Sequence, residues 1–307
     1  MVSNDARWAI RAATLTAPRG SATGPRRGVA YAARVMSVRR VAIVTGGATG
    51  IGRALSEGLA ADGLAVVVGY FDNADGAAET ARAIEAAGGE VRLVRGDAAD
   101  PDTAATLVEA AVASFGRLDV MCCHAGVTLF RPFLETGPDA FDRVVATNLR
   151  GTFFAAQAAA RRMVEQGDGG RIVMTSSVTA HRAIGGTAVY AMTKAGIEAF
   201  ARNLSIELAE AGITVNAVAP GSIVNDRNLV DDPTYVERWG AINPVGRVGT
   251  GADVLEAVRF LVGPGAGFVT GQTLVVDGGW TMTGRTPDDV IRLADAIRSS
   301  VEGRTDP

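Results

Sequence analysis

Seven short apolar runs, alternating with stretches of helical periodicity, decide what this chain can fold into. The runs fall at 41–45, 65–70, 91–95, 120–124, 172–176, 214–218 and 273–276. Helical stretches lie near 74–87, 101–115, 139–166, 188–211 and 252–262, and a glycine-rich turn opens another helix after the first run. A helix between two strands returns the chain to its starting edge, so the next strand runs parallel and helices cover both sheet faces. The reading is a single Rossmann-type, doubly wound α/β domain with a seven-stranded parallel sheet, spanning residues 38–282.

Two segments fall outside this rhythm. Residues 1–37 lack useful periodicity and hold Pro18, Gly20, Gly24, Pro25 and Gly28 among scattered arginines. They read as a disordered extension, with a composition like that of an organelle transit peptide or with translation starting at Met36. Residues 283–307 read as an added helical tail. Thr286 is placed to cap it, and Val290, Ile291, Leu293, Ala294, Ile297 and Val301 form its apolar stripe.

Charge is unevenly spread. Residues 1–40 carry +7 and the remainder −10, so the main body is acidic and argues against a nucleic-acid partner. No apolar run is long enough to span a bilayer, and no membrane partner is expected. The only cysteines, Cys122 and Cys123, are neighbours in a strand run and point to opposite faces. A disulfide is not expected, and a reducing, cytoplasmic setting is. Consecutive strand residues such as Cys122, Cys123 and His124 cannot converge on one ion, so no metal is expected either.

The chain has thirty basic residues, and Lys194 is the only lysine. It stands four residues after Tyr190, which places the two on one face of a helix. A site that retains lysine where every other cation is arginine suggests a need for a compact ammonium with rotatable donors. A neighbouring cation favours phenolate, so Lys194 is expected to pull the Tyr190 pKa down and make it a usable acid or base. The first turn reads Thr45-Gly46-Gly47-Ala48-Thr49-Gly50-Ile51-Gly52, directly after a strand and opening a helix. Glycines there let the backbone approach a pyrophosphate, and the helix N-terminus stabilises its charge.

With these elements in place, the chain resembles the short-chain dehydrogenases/reductases of ordinary length. Their glycine motif is matched by Thr45, Gly46, Gly50 and Gly52, and their Tyr-x-x-x-Lys by Tyr190 and Lys194. Their active-site serine, thirteen residues before the tyrosine, is Ser177, and their Asn-x-x-Gly is Asn148-Leu149-Arg150-Gly151. Pro220-Gly221 and the closing 271–279 run also match. The resemblance is closest to 3-oxoacyl-carrier-protein reductases and to sugar or secondary-alcohol dehydrogenases. It disfavours enoyl reductases, which space the tyrosine and lysine more widely.

The resemblance implies hydride transfer between a nicotinamide and a ketone or secondary alcohol. Tyr190 exchanges the proton, Ser177 holds the reacting oxygen, and Lys194 tunes Tyr190 and holds the ribose. Asn148 holds a water leading to solvent. It places the cofactor against Thr45, Gly46, Thr49, Gly50, Ile51 and Gly52, with Asp97 and Ala98 at the adenine. Ala125 and Gly126 lie further along, and Tyr190 and Lys194 join Pro220, Gly221, Ile223 and Asn225 around the nicotinamide half. Tyr70 and Asp72 occupy the place that reads the adenosine ribose. No cation matches the usual 2′-phosphate positions, where Thr49 and Phe71 stand. The cofactor is therefore NAD or NADP, with a lean to NAD.

Two positions depart from the family. Cys123-His124-Ala125-Gly126 replaces Asn-Asn-Ala-Gly, which puts local bracing of the sheet in doubt and makes His124 a packed replacement. Asn225 stands where a threonine often bonds the carboxamide. The substrate, a small carbonyl or alcohol, is expected to be shaped by 222–246 and by 179–187. Apolar helices through 151–164 and 195–208 imply a homotetramer. The rival class is a catalytically idle scaffold or sensor on the same fold; its mark is loss of Tyr190 or Lys194, and both are present.

Overall fold

The computed structural model describes residues 39–283. The N-terminal extension and the tail helix expected from sequence lie outside the described residues, apart from Thr283. Seven strands form one parallel sheet: β1 (Val41–Thr45), β2 (Ala65–Tyr70), β3 (Val91–Arg95), β4 (Val120–Cys123), β5 (Gly170–Thr175), β6 (Ile213–Pro220) and β7 (Thr273–Val276). Their order is β3-β2-β1-β4-β5-β6-β7, and every pairing is parallel. The chain runs outward from β1 to β3, then returns to lay β4 on the other side of β1. A cleft therefore opens beyond the carboxyl ends of β1 and β4, where the winding reverses.

Alternation along the strands builds two cores. One sheet face packs Ile43, Val67, Met121, Cys123, Ile172 and Val215 against α3 (Pro101–Phe115), α5 (Gly151–Gln166) and α6 (Ala188–Leu208). The other packs Val44, Val66, Cys122, Val173 and Val218 against α1 (Gly50–Ala61), α2 (Ala74–Ala86) and α9 (Gly251–Val262). Cys122 and Cys123 thus lie in different cores, both as free thiols, and burial pushes the Cys122 thiol up to about 12. Among the described residues no helix is long and apolar enough to cross a membrane.

Most departures from the sequence reading are local. The expected helix over 139–166 is three pieces: α4 (Pro138–Val145), a π-helical turn (Ala146–Arg150) and α5. The strand expected to end at His124 stops at Cys123, and α6 ends in a 3₁₀ turn (Ala209–Ala211). The segment 222–246 contains two short helices that periodicity does not reveal, α7 (Asp226–Asp231) and α8 (Tyr235–Ile242); a final turn, α10 (Trp280–Thr283), follows β7.

Candidate active site

The cleft is lined in two halves. The first half holds Thr45, Gly46, Thr49, Tyr70, Asp72, Asp97, Ala98, Ala125 and Gly126. The second holds Thr49, Gly50, Ile51, Gly126, Ser177, Tyr190, Lys194, Pro220, Gly221, Ile223 and Asn225. Of the expected site residues, only Gly52 and Asn148 line neither half. Gly52 sits behind the turn, and Asn148 is buried beneath the wall.

The glycine turn is shaped for a large anion. Gly46 has φ +71°, and a Cβ there would stand 3.0 Å from the Ala125 Cα. Thr49 is the N-cap of α1 but its side chain makes no capping bond, so the first amides of that helix have no acceptor within it. Thr45 is spent differently. Its hydroxyl oxygen accepts from the amides of His124 (2.9 Å) and Ala125 (3.0 Å), and the hydroxyl approaches the Cys122 carbonyl (3.4 Å). Thr45 therefore braces the end of β4, where Cys123 has no polar group to do so.

At the end of the cleft beside β2 and β3, Asp97 accepts from the Ala99 amide and pairs with Arg143 at 2.8 Å. Burial would raise its carboxyl, but those two partners, with Arg150 beyond, hold it below the usual range. Arg143 also lies over the Phe71 ring, 5.7 Å from its centre. Arg53 is committed to the carbonyls of Ala48 and Gly76 and to Glu79.

The chemical end is built by three elements. Ser177 follows β5, and its side chain accepts from the Thr179 amide at 3.2 Å. Tyr190 and Lys194 lie one turn apart on α6. The Lys194 ammonium is buried and donates to the Thr175 carbonyl at 2.7 Å, lying 5.5 Å from the centre of the Tyr190 ring. Burial pulls the lysine down to about 8. The Tyr190 phenol does not follow the sequence expectation. Burial raises its pKa, and hydrogen bonding to Ser177 and Thr128, with the field of Arg227, only partly opposes this. The reason is geometric: Lys194 aims at a backbone carbonyl rather than at the phenol oxygen.

Asn148 sits in the π turn, fully buried. Its amide donates to the Val127 carbonyl (3.0 Å) and to Thr193 (3.1 Å), and its carbonyl accepts the Val127 amide (2.8 Å). A Cβ on Gly126 would stand 3.2 Å from the Asn148 carbonyl oxygen and 3.6 Å from the Lys194 ammonium. Only a residue without a side chain leaves that space for a ligand. His124 lines both halves, bonds Thr175 through Nδ1 at 3.1 Å, and is held neutral: burial first, then the Lys194 charge, pull it down to about 4. Asn225 reaches the second half, but its carbonyl caps α7 by accepting from the Asn228 amide.

Ser177, Tyr190 and Lys194 thus share one cavity, beside a glycine-lined slot. Residues 46–281 also match the family profile described as enoyl-(acyl carrier protein) reductase. The chain belongs to the short-chain dehydrogenase/reductase family. It is 41% identical to an L-rhamnose 1-dehydrogenase (NAD(P)(+)) of Sphingomonas sp. over 78% of this chain and 95% of that protein. It is 37% identical to a versicolorin reductase of Emericella nidulans, over 78% and 95%. Among solved structures, a short-chain dehydrogenase/reductase from Serratia marcescens superposes with a TM-score of 0.74 at 37% identity, covering 80% of this chain and 98% of that one. This short-chain dehydrogenase/reductase is an NAD(P)-dependent oxidoreductase acting on alcohols and ketones.

Sequence reasoning missed Thr128 and Arg227 beside Tyr190, Arg143 beside Asp97, and Glu198 behind the lysine. Glu198 alone left a trace: an acid one turn beyond Lys194, in line with Ile197 and Ala201.

Proposed function

We propose that this enzyme interconverts a small polyhydroxylated secondary alcohol and its carbonyl, with Tyr190 as general acid and base. The observation that carries this is the convergence of Ser177, Tyr190 and Lys194 on a cavity whose mouth is polar. Thr128, Asp226, Arg227 and Asn228 supply that polarity. Bound NAD or NADP supplies the hydride acceptor or donor at its nicotinamide. In oxidation Tyr190 takes the hydroxyl proton, and in reduction it returns it; Ser177 hydrogen-bonds the same oxygen and orients it. The raised Tyr190 pKa suits the donor role, because the phenol keeps its proton until an alkoxide develops. Lys194 offers a buried donor to the nicotinamide ribose. Asn148 holds the Val127 backbone, and a water held at that bend would link Lys194 to solvent.

The glycine slot, the unspent amides at the start of α1 and the clearance at Gly126 fit a dinucleotide. NAD is the preferred form on this reading. Arg53 and Arg143, which flank this end of the cleft, are already paired with Glu79 and Asp97, and Asp72 would repel a 2′-phosphate. The working assembly is a homotetramer, and the buried, free cysteines suit a reducing compartment such as the cytoplasm.

The decisive experiment follows nicotinamide absorbance with a panel that sets L-rhamnose and other sugars against aromatic ketones. Tyr190→Phe should abolish turnover while leaving cofactor binding intact. Activity within about tenfold of wild type would contradict a proton-transfer role expected to be worth about 10²–10⁴-fold.

A further inference from the structure

Behind the catalytic groups lies a carboxylate that the mechanism does not use. Glu198 stands on α6 one turn beyond Lys194, and its side chain is only 9% exposed. One oxygen, Oε1, takes both of its polar contacts: the Ser176 hydroxyl at 2.7 Å and His181 Nε2 at 2.9 Å. Ser176 is buried, immediately precedes Ser177, and also lies 3.1 Å from the Lys194 carbonyl. A carboxylate in such a place is held by its donors, and removing one leaves the rest underpaired. Serine, histidine and glutamate are the residue types of a hydrolytic triad, but the carboxylate sits in the middle. His181 bonds the carboxylate rather than the serine and cannot activate it, and the Ser176 hydroxyl is taken up by Glu198 and the Lys194 carbonyl.

We propose that Glu198 and His181 form a positioning latch that ties the substrate loop 179–187 to the helix carrying Tyr190 and Lys194. The loop has two other anchors. Arg182 donates to the Thr281 carbonyl at 2.8 Å, and the Arg131 amide donates to the Gly186 carbonyl at 2.8 Å. Both run to segments outside the catalytic helix, which the loop itself joins at Thr187. The Glu198–His181 contact adds a side-chain tie to that helix one turn beyond Lys194; through Ser176 the same carboxylate steadies the residue next to Ser177. His181 acts on the substrate wall, and Glu198 acts on both that wall and Ser177. The latch rests on the assignment of 179–187 to the substrate wall, and its test has one arm that does not.

That arm is hydrogen exchange over 179–187, which needs no substrate. Exchange there should rise in His181→Ala and return toward wild type in His181→Gln, which keeps an N–H donor. The kinetic arm uses whichever panel alcohol or ketone wild type turns over fastest. His181→Ala should raise KM about tenfold with kcat within about twofold, a loss of substrate positioning rather than of chemistry. Glu198→Ala should lower kcat as well, by about tenfold, because Ser177 loses its neighbour's tether. NADH affinity, read by fluorescence, should be unchanged in both. His181 is partly exposed, so its variants fold even if Glu198→Ala does not. Unchanged loop exchange in His181→Ala, an unchanged KM, or failure of His181→Gln to restore either one overturns the latch. Absence of turnover by wild type on the whole panel would instead count against the proposed substrate class, leaving the exchange result to decide the latch.

Discussion

Replacing Lys194 by methionine should destroy activity and leave the protein at least as stable as before. Burial lowers the lysine from 10.5 to about 8. At about 1.4 kcal/mol per pH unit, holding that ammonium in the fold at neutral pH costs about 3 kcal/mol. Methionine keeps an unbranched stem of similar length but withdraws the bond to the Thr175 carbonyl, a loss of about 1–2 kcal/mol. The balance is a gain of about 1–2 kcal/mol, which for a domain of this size raises Tm by roughly 2–8 °C. The pH dependence isolates the cause. The native pKa lies below the unfolded one, so between about pH 8 and 10.5 the unfolded chain holds a proton that the native protein has released. Wild-type stability therefore gains from this group as pH rises through that window, and has no slope from it below pH 8. Lys194→Met lacks the gain. In the unfolded chain Cys122 and Cys123 also titrate in this range, but they are present in both proteins and cancel in the difference. Urea unfolding followed by circular dichroism at fixed protein concentration, from neutral pH to 10.5, gives the two curves. Parallel curves would show that burial does not cost Lys194 its proton, and an unfolding free energy lower than wild type by about 1 kcal/mol or more at neutral pH would show that its bond to Thr175 outweighs its burial.

Lys194→Arg should also lose activity severely although charge is kept, because a guanidinium can neither fit the single-nitrogen space beside Thr175 nor shed its proton; near-normal kinetics would refute this. Titration with both cofactors should show tighter NAD than NADP binding, and the reverse would mean that Arg53 leaves Glu79 for the 2′-phosphate. Light scattering at micromolar concentration should give a multiple of the 31.6 kDa chain, since Phe153 and Val164 on α5 and Ile206 on α6 are exposed; a monomer would refute it. His124→Asn should reduce acid sensitivity. The native imidazole titrates near 4 and the unfolded one near 6.5, so stability is lost as pH falls between them, and a variant with the same Tm drop from neutral to acid would exclude His124 as its source.

The strands, the glycine turn and the one-turn separation of Tyr190 from Lys194 could be read from the chain alone, because periodicity and spacing are local. The alternation at Cys122 and Cys123 likewise placed them in separate cores without coordinates. The same locality limited the reading elsewhere. The helix expected over 139–166 looks continuous in its apolar spacing; the bend at Asn148 depends on the Val127 backbone and Thr193, which come from distant segments. Asn225 looked like a cofactor contact and also caps a helix too short to show a period. The direction of the Tyr190 shift was misjudged because a lysine four residues away is a fact of sequence, whereas its aim at the Thr175 carbonyl is not. The contact between Glu198 and His181 spans a strand end, a loop and a helix. The chain by itself determined which elements form, in what order, and which residue types each one carries. Only the tertiary structure decided which of those residues lose water, which way their charges point and which meet, because burial and distance depend on several elements at once.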